Sequence, residues 1–178
     1  MNTVKLFIAG LIIISLVSCS SNDDNQQSFD IVGSWTLTQG TIEPGTINMD
    51  MGGMQIPIEI SGDFVEIDPN NQITFNTDLT FTSSAGRIVL ELTMIFMGTS
   101  QTQSFEQNDV FGTGTWELNG NELRVSNDTG AIIPYYLERI SDTEIVLTGN
   151  TKDMVMEDGS NPMVEGMDIP IKLRMKKN

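Results

Sequence analysis

Gly114-Thr115-Trp116-Glu117-Leu118-Asn119-Gly120-Asn121-Glu122-Leu123-Arg124-Val125 decides the fold class. Apolar residues alternate with polar ones on both sides of an Asn-Gly turn signal, which is the pattern of a β-hairpin. Two registers are open. A two-residue type I′ turn sets Glu117 opposite Glu122. A four-residue loop sets Leu118 opposite Leu123, Trp116 opposite Val125 and Glu117 opposite Arg124. Cross-strand pairs contribute about 0.2–1 kcal/mol, and like charges lose where opposite charges gain, so the second register is favoured. Both registers put Trp116, Leu118, Leu123 and Val125 on one face, and the core assignment does not depend on the choice.

The same grammar extends in both directions. Upstream, Ile73 and Phe75 precede Asn76-Thr77-Asp78, and Leu79 and Phe81 follow. A three-residue loop there pairs Phe75 with Leu79 and Ile73 with Phe81, all on one face. Between these two hairpins, 87–97 puts Ile88, Leu90, Leu92, Met94 and Phe96 on one side of a long strand. Downstream, 132–140 turns through Ser141-Asp142-Thr143 into Glu144-Ile145-Val146-Leu147-Thr148, and 169–175 is the last strand. Ile56-Pro57-Ile58-Glu59-Ile60 also alternates. Pro57 cannot donate to a ladder, which predicts an edge strand or an irregular start. From Phe29 onward no apolar spacing of helical period is sustained. About nine or ten short strands joined mostly by hairpins predict an antiparallel up-and-down barrel or a sandwich.

The N-terminal segment carries no fold information. It is read as an address. Residues 1–18 hold Lys5 and a 12-residue apolar run from Leu6 to Val17. As a helix at about 1.5 Å per residue it spans about 18 Å, too short for a hydrocarbon core of about 30 Å. It reads as a signal-peptide core. Leu16-Val17-Ser18-Cys19 resembles the lipobox of bacterial lipoproteins, and the single cysteine of the chain falls at the end of this run. The alternative is an ordinary secretory leader with a stray cysteine. The resemblance implies cleavage before Cys19 and acylation of Cys19 by diacylglycerol and an N-acyl chain such as palmitate. Three chains anchor firmly where one binds marginally. Residues 19–28, including Asn22-Asp23-Asp24-Asn25-Gln26-Gln27, are polar and form a tether. Asp23-Asp24 after the lipid cysteine also resembles the acidic export signal of Bacteroidetes surface lipoproteins; a plain solvated linker is the other reading. The expected organisation is a lipoprotein signal peptide over 1–18, an acylated tether over 19–28 and a barrel domain over 29–178, placed at the outer membrane.

With the hairpins and address in hand, a family resemblance emerges. Gly33-Ser34-Trp35 matches the Gly-x-Trp of lipocalin first strands. The 114–123 hairpin looks like a recurrent hairpin of lipocalin-like domains in Bacteroidetes lipoproteins. The resemblance covers roughly 30–148, with the tail as one closing strand. It implies an all-β, antiparallel up-and-down lipocalin-like barrel of about 8–10 strands, with Trp35 closing its bottom. It also implies a non-catalytic membrane-anchored role and a small apolar or amphipathic ligand. The departure is 43–68, long and rich in Met and Gly, which looks inserted between the first strand and the first clear hairpin.

Composition excludes several function classes. The 178 residues carry 24 acidic and 9 basic side chains, for a formal charge of −15, which disfavours nucleic acid as partner. Without histidine there is no Ser-His or Cys-His catalysis and no imidazole metal site. A single cysteine precludes an intrachain disulfide. No catalytic residue, metal or cofactor is assigned. Methionines gather at Met49, Met51 and Met54 and again at Met154, Met156, Met163 and Met167. Thioethers are soft ligands for Cu(I), yet the histidine or cysteine that usually joins them is lacking, and flexible apolar lining is the better reading. The segments 53–60 and 166–173 share a short pattern. It suggests that they lie side by side, with Glu59 meeting Lys172, unless the likeness is coincidental.

The barrel-interior or ligand-lining candidates are Trp35, Phe75, Phe81, Leu92, Met94, Trp116 and Val125. A small barrel is either filled by such side chains or holds one small ligand. Two roles therefore stand: a ligand carrier, or a structural envelope lipoprotein with a filled barrel that contacts another protein.

Overall fold

The computed structural model describes residues 29–84, 86–108, 111–128, 132–153 and 168–178. Cys19, the tether, the leader and the second methionine group lie outside the described residues. Among the described residues eleven strands form one sheet: β1 (Gly33–Asp50), β2 (Gln55–Ile67), β3 (Gln72–Phe75), β4 (Thr80–Ser84), β5 (Ile88–Phe96), β6 (Thr99–Gln107), β7 (Thr113–Asn119), β8 (Glu122–Asn127), β9 (Ile132–Ser141), β10 (Glu144–Asn150) and β11 (Pro170–Lys177). A short 3-10 turn, Thr151–Asp153, follows β10. The strand order is β11-β10-β9-β8-β7-β4-β3-β1-β2-β5-β6, and β11 also pairs with β1. Strands β1, β3, β4, β7, β8, β9, β10 and β11 thus close an antiparallel eight-stranded barrel.

The three additional strands are continuations. β2 and β3 both pair antiparallel to β1, on the same edge, one after the other. β5 continues the path of β4, and β6 leads into β7. The chain therefore follows eight up-and-down paths, three of which break where they leave the barrel. Beyond the break, 43–50 of β1 joins β2, β5 and β6 in a four-stranded wing. The apparent insertion at 43–68 is this wing: the upper part of the first strand and the strand that returns from it.

Backbone bonds tie the breaks together. The Leu37 amide donates to the Asn71 carbonyl at 3.0 Å, the Asp68 amide to the Arg87 carbonyl at 2.8 Å, and the Gly86 amide to the Asn108 carbonyl at 2.8 Å. Asn71 is the buried polar residue of the described core, at 4 % exposure, and its Nδ2 donates to the Arg87 carbonyl at 3.3 Å. A Cβ on Gly86 would lie 2.8 Å from Asn71 Nδ2 and 3.0 Å from its backbone nitrogen, so the close approach depends on glycine. Outside the break, the Arg87 guanidinium bridges Glu66 and Glu106 from the two neighbouring strands, the latter at 2.9 Å.

The register of the deciding hairpin is the four-residue one: Leu118 faces Leu123, Trp116 faces Val125 and Glu117 faces Arg124. The ladder continues one pair further, to Asn119 and Glu122. The turn after Ser141 and the inward face of β5 also form as predicted. Three details differ. In the 73–81 hairpin Phe75 faces Phe81 and Ile73 faces Ser83. The loop is wider because the Asn76 amide and side chain bond to the Thr80 carbonyl and hydroxyl. Leu79 then sits in the turn at φ 66°, exposed. β2 is an interior strand between β1 and β5, not an edge. Pro57 is tolerated because the β5 ladder begins one residue later, at Ile58 opposite Phe96. Glu59 and Lys172 do not meet, because β2 and β11 flank β1 on opposite edges; Lys172 instead pairs with Glu43 at 2.9 Å.

Candidate functional site

Antiparallel alternation sends every second side chain of each path into the barrel, and the chain places apolar residues there. Trp35 (0 % exposed), Phe75, Phe81, Leu123, Val125, Leu137, Ile145, Leu147, Leu173 and Met175 are buried in one continuous core. The floor is the entry of the first strand. Trp35 Nε1 donates to the Ile31 carbonyl at 2.7 Å, and the Phe29 ring stands edge-on to Trp35 with centroids 6.0 Å apart. Lys177 Nζ lies 5.4 Å from the Trp35 ring centre on the solvent side. Phe75 packs against Phe81 at 6.4 Å and edge-on to Trp116 at 5.6 Å. Trp116 Nε1 is shared between the carbonyls of Asn76 and Thr80, at 3.2 and 3.1 Å, so the wide turn of that hairpin satisfies the indole.

The seven candidates therefore fall into two groups. Trp35, Phe75, Phe81, Trp116 and Val125 pack together in the lower barrel, with both indole N–H groups satisfied. Leu92 and Met94 lie elsewhere, on β5 in the wing. There the inward face runs through Ile58, Ile60 and Leu92, which are buried, and Ile47, Phe64, Met94, Phe96 and Phe105, which are partly buried against the core. Opposite Leu92 and Met94, the outer strand β6 presents Gln103 and Gln101. The wing face thus grades from apolar at β2 to amide-bearing at β6. Its tip exposes Met49, Met51, Met54 and Met97.

Between floor and wing lies a residue that the sequence reading missed. Tyr135, on β9 opposite Leu123, is 1 % exposed. Its ring lies over Gly149, where a Cβ would approach it to 2.8 Å, and 6.5 Å from the ring of Phe111. Its hydroxyl is buried and has no hydrogen-bond partner among the described residues. Burial, and secondarily the charge of Asp153, push the phenol above its ordinary pKa, so it stays protonated and able to donate. The signal available in the sequence was period 2 alone: Ile133, Tyr135 and Leu137 alternate with Pro134, Tyr136 and Glu138, and nothing distinguished Tyr135 from Tyr136 beyond that phase.

No described lysine or arginine is buried. Among the described residues no group of three or more carboxylates, histidines or cysteines is placed to hold a metal. Nor is any described helix long and apolar enough to cross a membrane. Comparison with curated proteins and with solved structures finds no match. A family model, described as the lipocalin-like domain, matches residues 31–147, from the buried Ile31 of the floor to Leu147 of β10. The match spans most of the chain and the barrel closes as that family's fold requires, so the protein belongs to the lipocalin-like domain family.

Proposed function

We propose that this protein is a non-catalytic, lipid-anchored lipocalin-like lipoprotein of the outer membrane that binds one small apolar or amphipathic molecule between the wing and the upper barrel. One observation carries the reading. The inward apolar face does not stop where the barrel closes but continues onto the wing, where five large apolar side chains remain partly buried around Leu92. A face built only to stabilise a barrel gains nothing by extending past its closure. Apolar surface left next to a filled core is where a hydrophobic ligand gains most, at about 25 cal/mol per Å² removed from water. Membership in the lipocalin-like family supports the same reading by analogy. The anchor rests on the lipobox ending in Cys19. The first strand enters at the barrel floor, so the tether would hold the floor toward the membrane and leave the wing pointing away.

The second reading is a structural lipoprotein that contacts another envelope protein. It is favoured by the buried apolar side chains of the lower barrel and by the exposed methionines at the wing tip, because Met adapts to varied apolar surfaces. Native mass spectrometry of protein isolated from its own envelope, followed by solvent extraction, separates the two. A stoichiometric small hydrophobe is expected. A bare mass, with no uptake of an apolar fluorescent probe, would favour the second reading.

A further inference from the structure

The Tyr135 hydroxyl is the one buried side-chain polar atom without a partner among the described residues. Leaving a buried donor unsatisfied costs about 1–3 kcal/mol, which a phenylalanine at the same place would avoid. Gly149 makes room for this ring: any side chain there would strike Cε1 and Cδ1. The opposing ring of Phe111 comes from the segment joining β6 to β7, at the level where the wing departs. A fully buried donor is thus held near the level where the wing departs, with a glycine on one side and an aromatic ring near it.

We infer that Tyr135 is the polar contact of the bound molecule, and that this molecule is an uncharged amphiphile bearing a hydroxyl head. The assignment rests on the ligand-binding reading above and specifies it. The charge pattern around the site selects the head group. No described lysine or arginine is buried, so a carboxylate or phosphate head brought to Tyr135 would lose its hydration with no cation to replace it. The carboxylate of Asp153, on the 3-10 turn after β10, acts on Tyr135 and repels an anion further. A hydroxyl suits both groups. Its oxygen accepts from the Tyr135 hydroxyl, and its proton is offered toward the Asp153 side. The alkyl remainder then lies along the apolar wing face.

The test uses the purified full-length protein, with N-phenyl-1-naphthylamine as a reporter displaced by 1-decanol or by decanoate at pH 7.5. The proposal expects wild type to bind the reporter and to prefer decanol over decanoate by at least tenfold. Tyr135→Phe should weaken decanol about tenfold, the worth of about one hydrogen bond, while reporter affinity and melting temperature hold or the latter rises. Asp153→Asn should narrow the preference by improving decanoate. Equal decanol affinity in wild type and Tyr135→Phe, or a wild-type preference for decanoate, would overturn the assignment while leaving the carrier reading intact. Failure of wild type to bind the reporter or either amphiphile would overturn the carrier reading itself, and the assignment with it.

Discussion

Trp35 at the floor of the barrel and Met94 in the wing both point inward from the same continuous sheet, yet Trp35 is sealed from solvent and Met94 is not. The lower barrel surrounds each side chain with eight strands and caps the end with Phe29 and Ile31. The wing offers its inner face four strands, with no further described strand paired to its two edges. The difference is first one of enclosure, since both inner faces carry large apolar side chains, although the wing turns amide-bearing at β6. Closure converts an apolar stripe into a core, and where closure lapses the same stripe becomes a surface for something else.

The sharpest way to break this comparison is to delete one inward residue in each region. Trp35→Ala removes a wholly buried indole and its bond to Ile31, and should cost about 3–5 kcal/mol in urea unfolding. Met94→Ala should cost less than about 2 kcal/mol because much of its surface is never removed from water. Equal losses would mean that the wing is as much a core as the barrel.

The junction between the two regions comes next. Gly86→Ala drives a Cβ into Asn71, including its backbone nitrogen, and should cost about 1–3 kcal/mol. Asn71→Ala loses its side-chain bond to the Arg87 carbonyl and should cost about 1–2 kcal/mol. In hydrogen exchange, both variants should open β2, β5 and β6 before the barrel strands. Uniform loss of protection would show that wing and barrel unfold as one unit.

Smaller effects refine the edges. A double-mutant cycle on Glu43 and Lys172, where β11 meets the last barrel-bound part of β1, should give a coupling of about 0.2–1 kcal/mol, as half-exposed pairs do. The same cycle on Glu59 and Lys172 should give none. The smallest effect is acid-dependent. Lys152, then Asn150, hold the Asp168 carboxyl below its ordinary value of 3.8. A depressed carboxyl contributes stability above that unfolded value and loses it as pH falls through the folded one. Asp168→Asn should therefore flatten the stability curve below about pH 4 and lower stability slightly at neutral pH. An unchanged acid limb would show that this exposed pair is electrostatically idle.

Local chemistry carried much of this fold. The 114–125 hairpin was legible to its register because a single sign rule, Glu117 against Arg124 rather than against Glu122, separated two alternatives that bury the same four residues. The 73–81 hairpin was less legible. The choice between a three-residue and a wider loop turned on Asn76 bonding across to Thr80 and on Trp116 needing the Asn76 and Thr80 carbonyls, and that indole arrives from 40 positions away. The interior candidates shared a face as alternation required, but alternation is blind to height along a strand. It could not separate Phe75 in the floor from Leu92 in the wing. The same blindness hid Tyr135, which is marked by a hydroxyl without a partner among the described residues and not by a motif.

Alternation and hairpins were legible from residues near one another, and the lack of histidine from composition, while the Gly-x-Trp floor followed from the family resemblance. It took the closed sheet to make 43–68 the far half of two barrel strands and β2 an interior strand, to set Lys172 against Glu43, and to bury a tyrosine hydroxyl beside a glycine with no described partner. Those outcomes depend on which strand becomes whose neighbour when the sheet closes, and closure is a property of the whole chain.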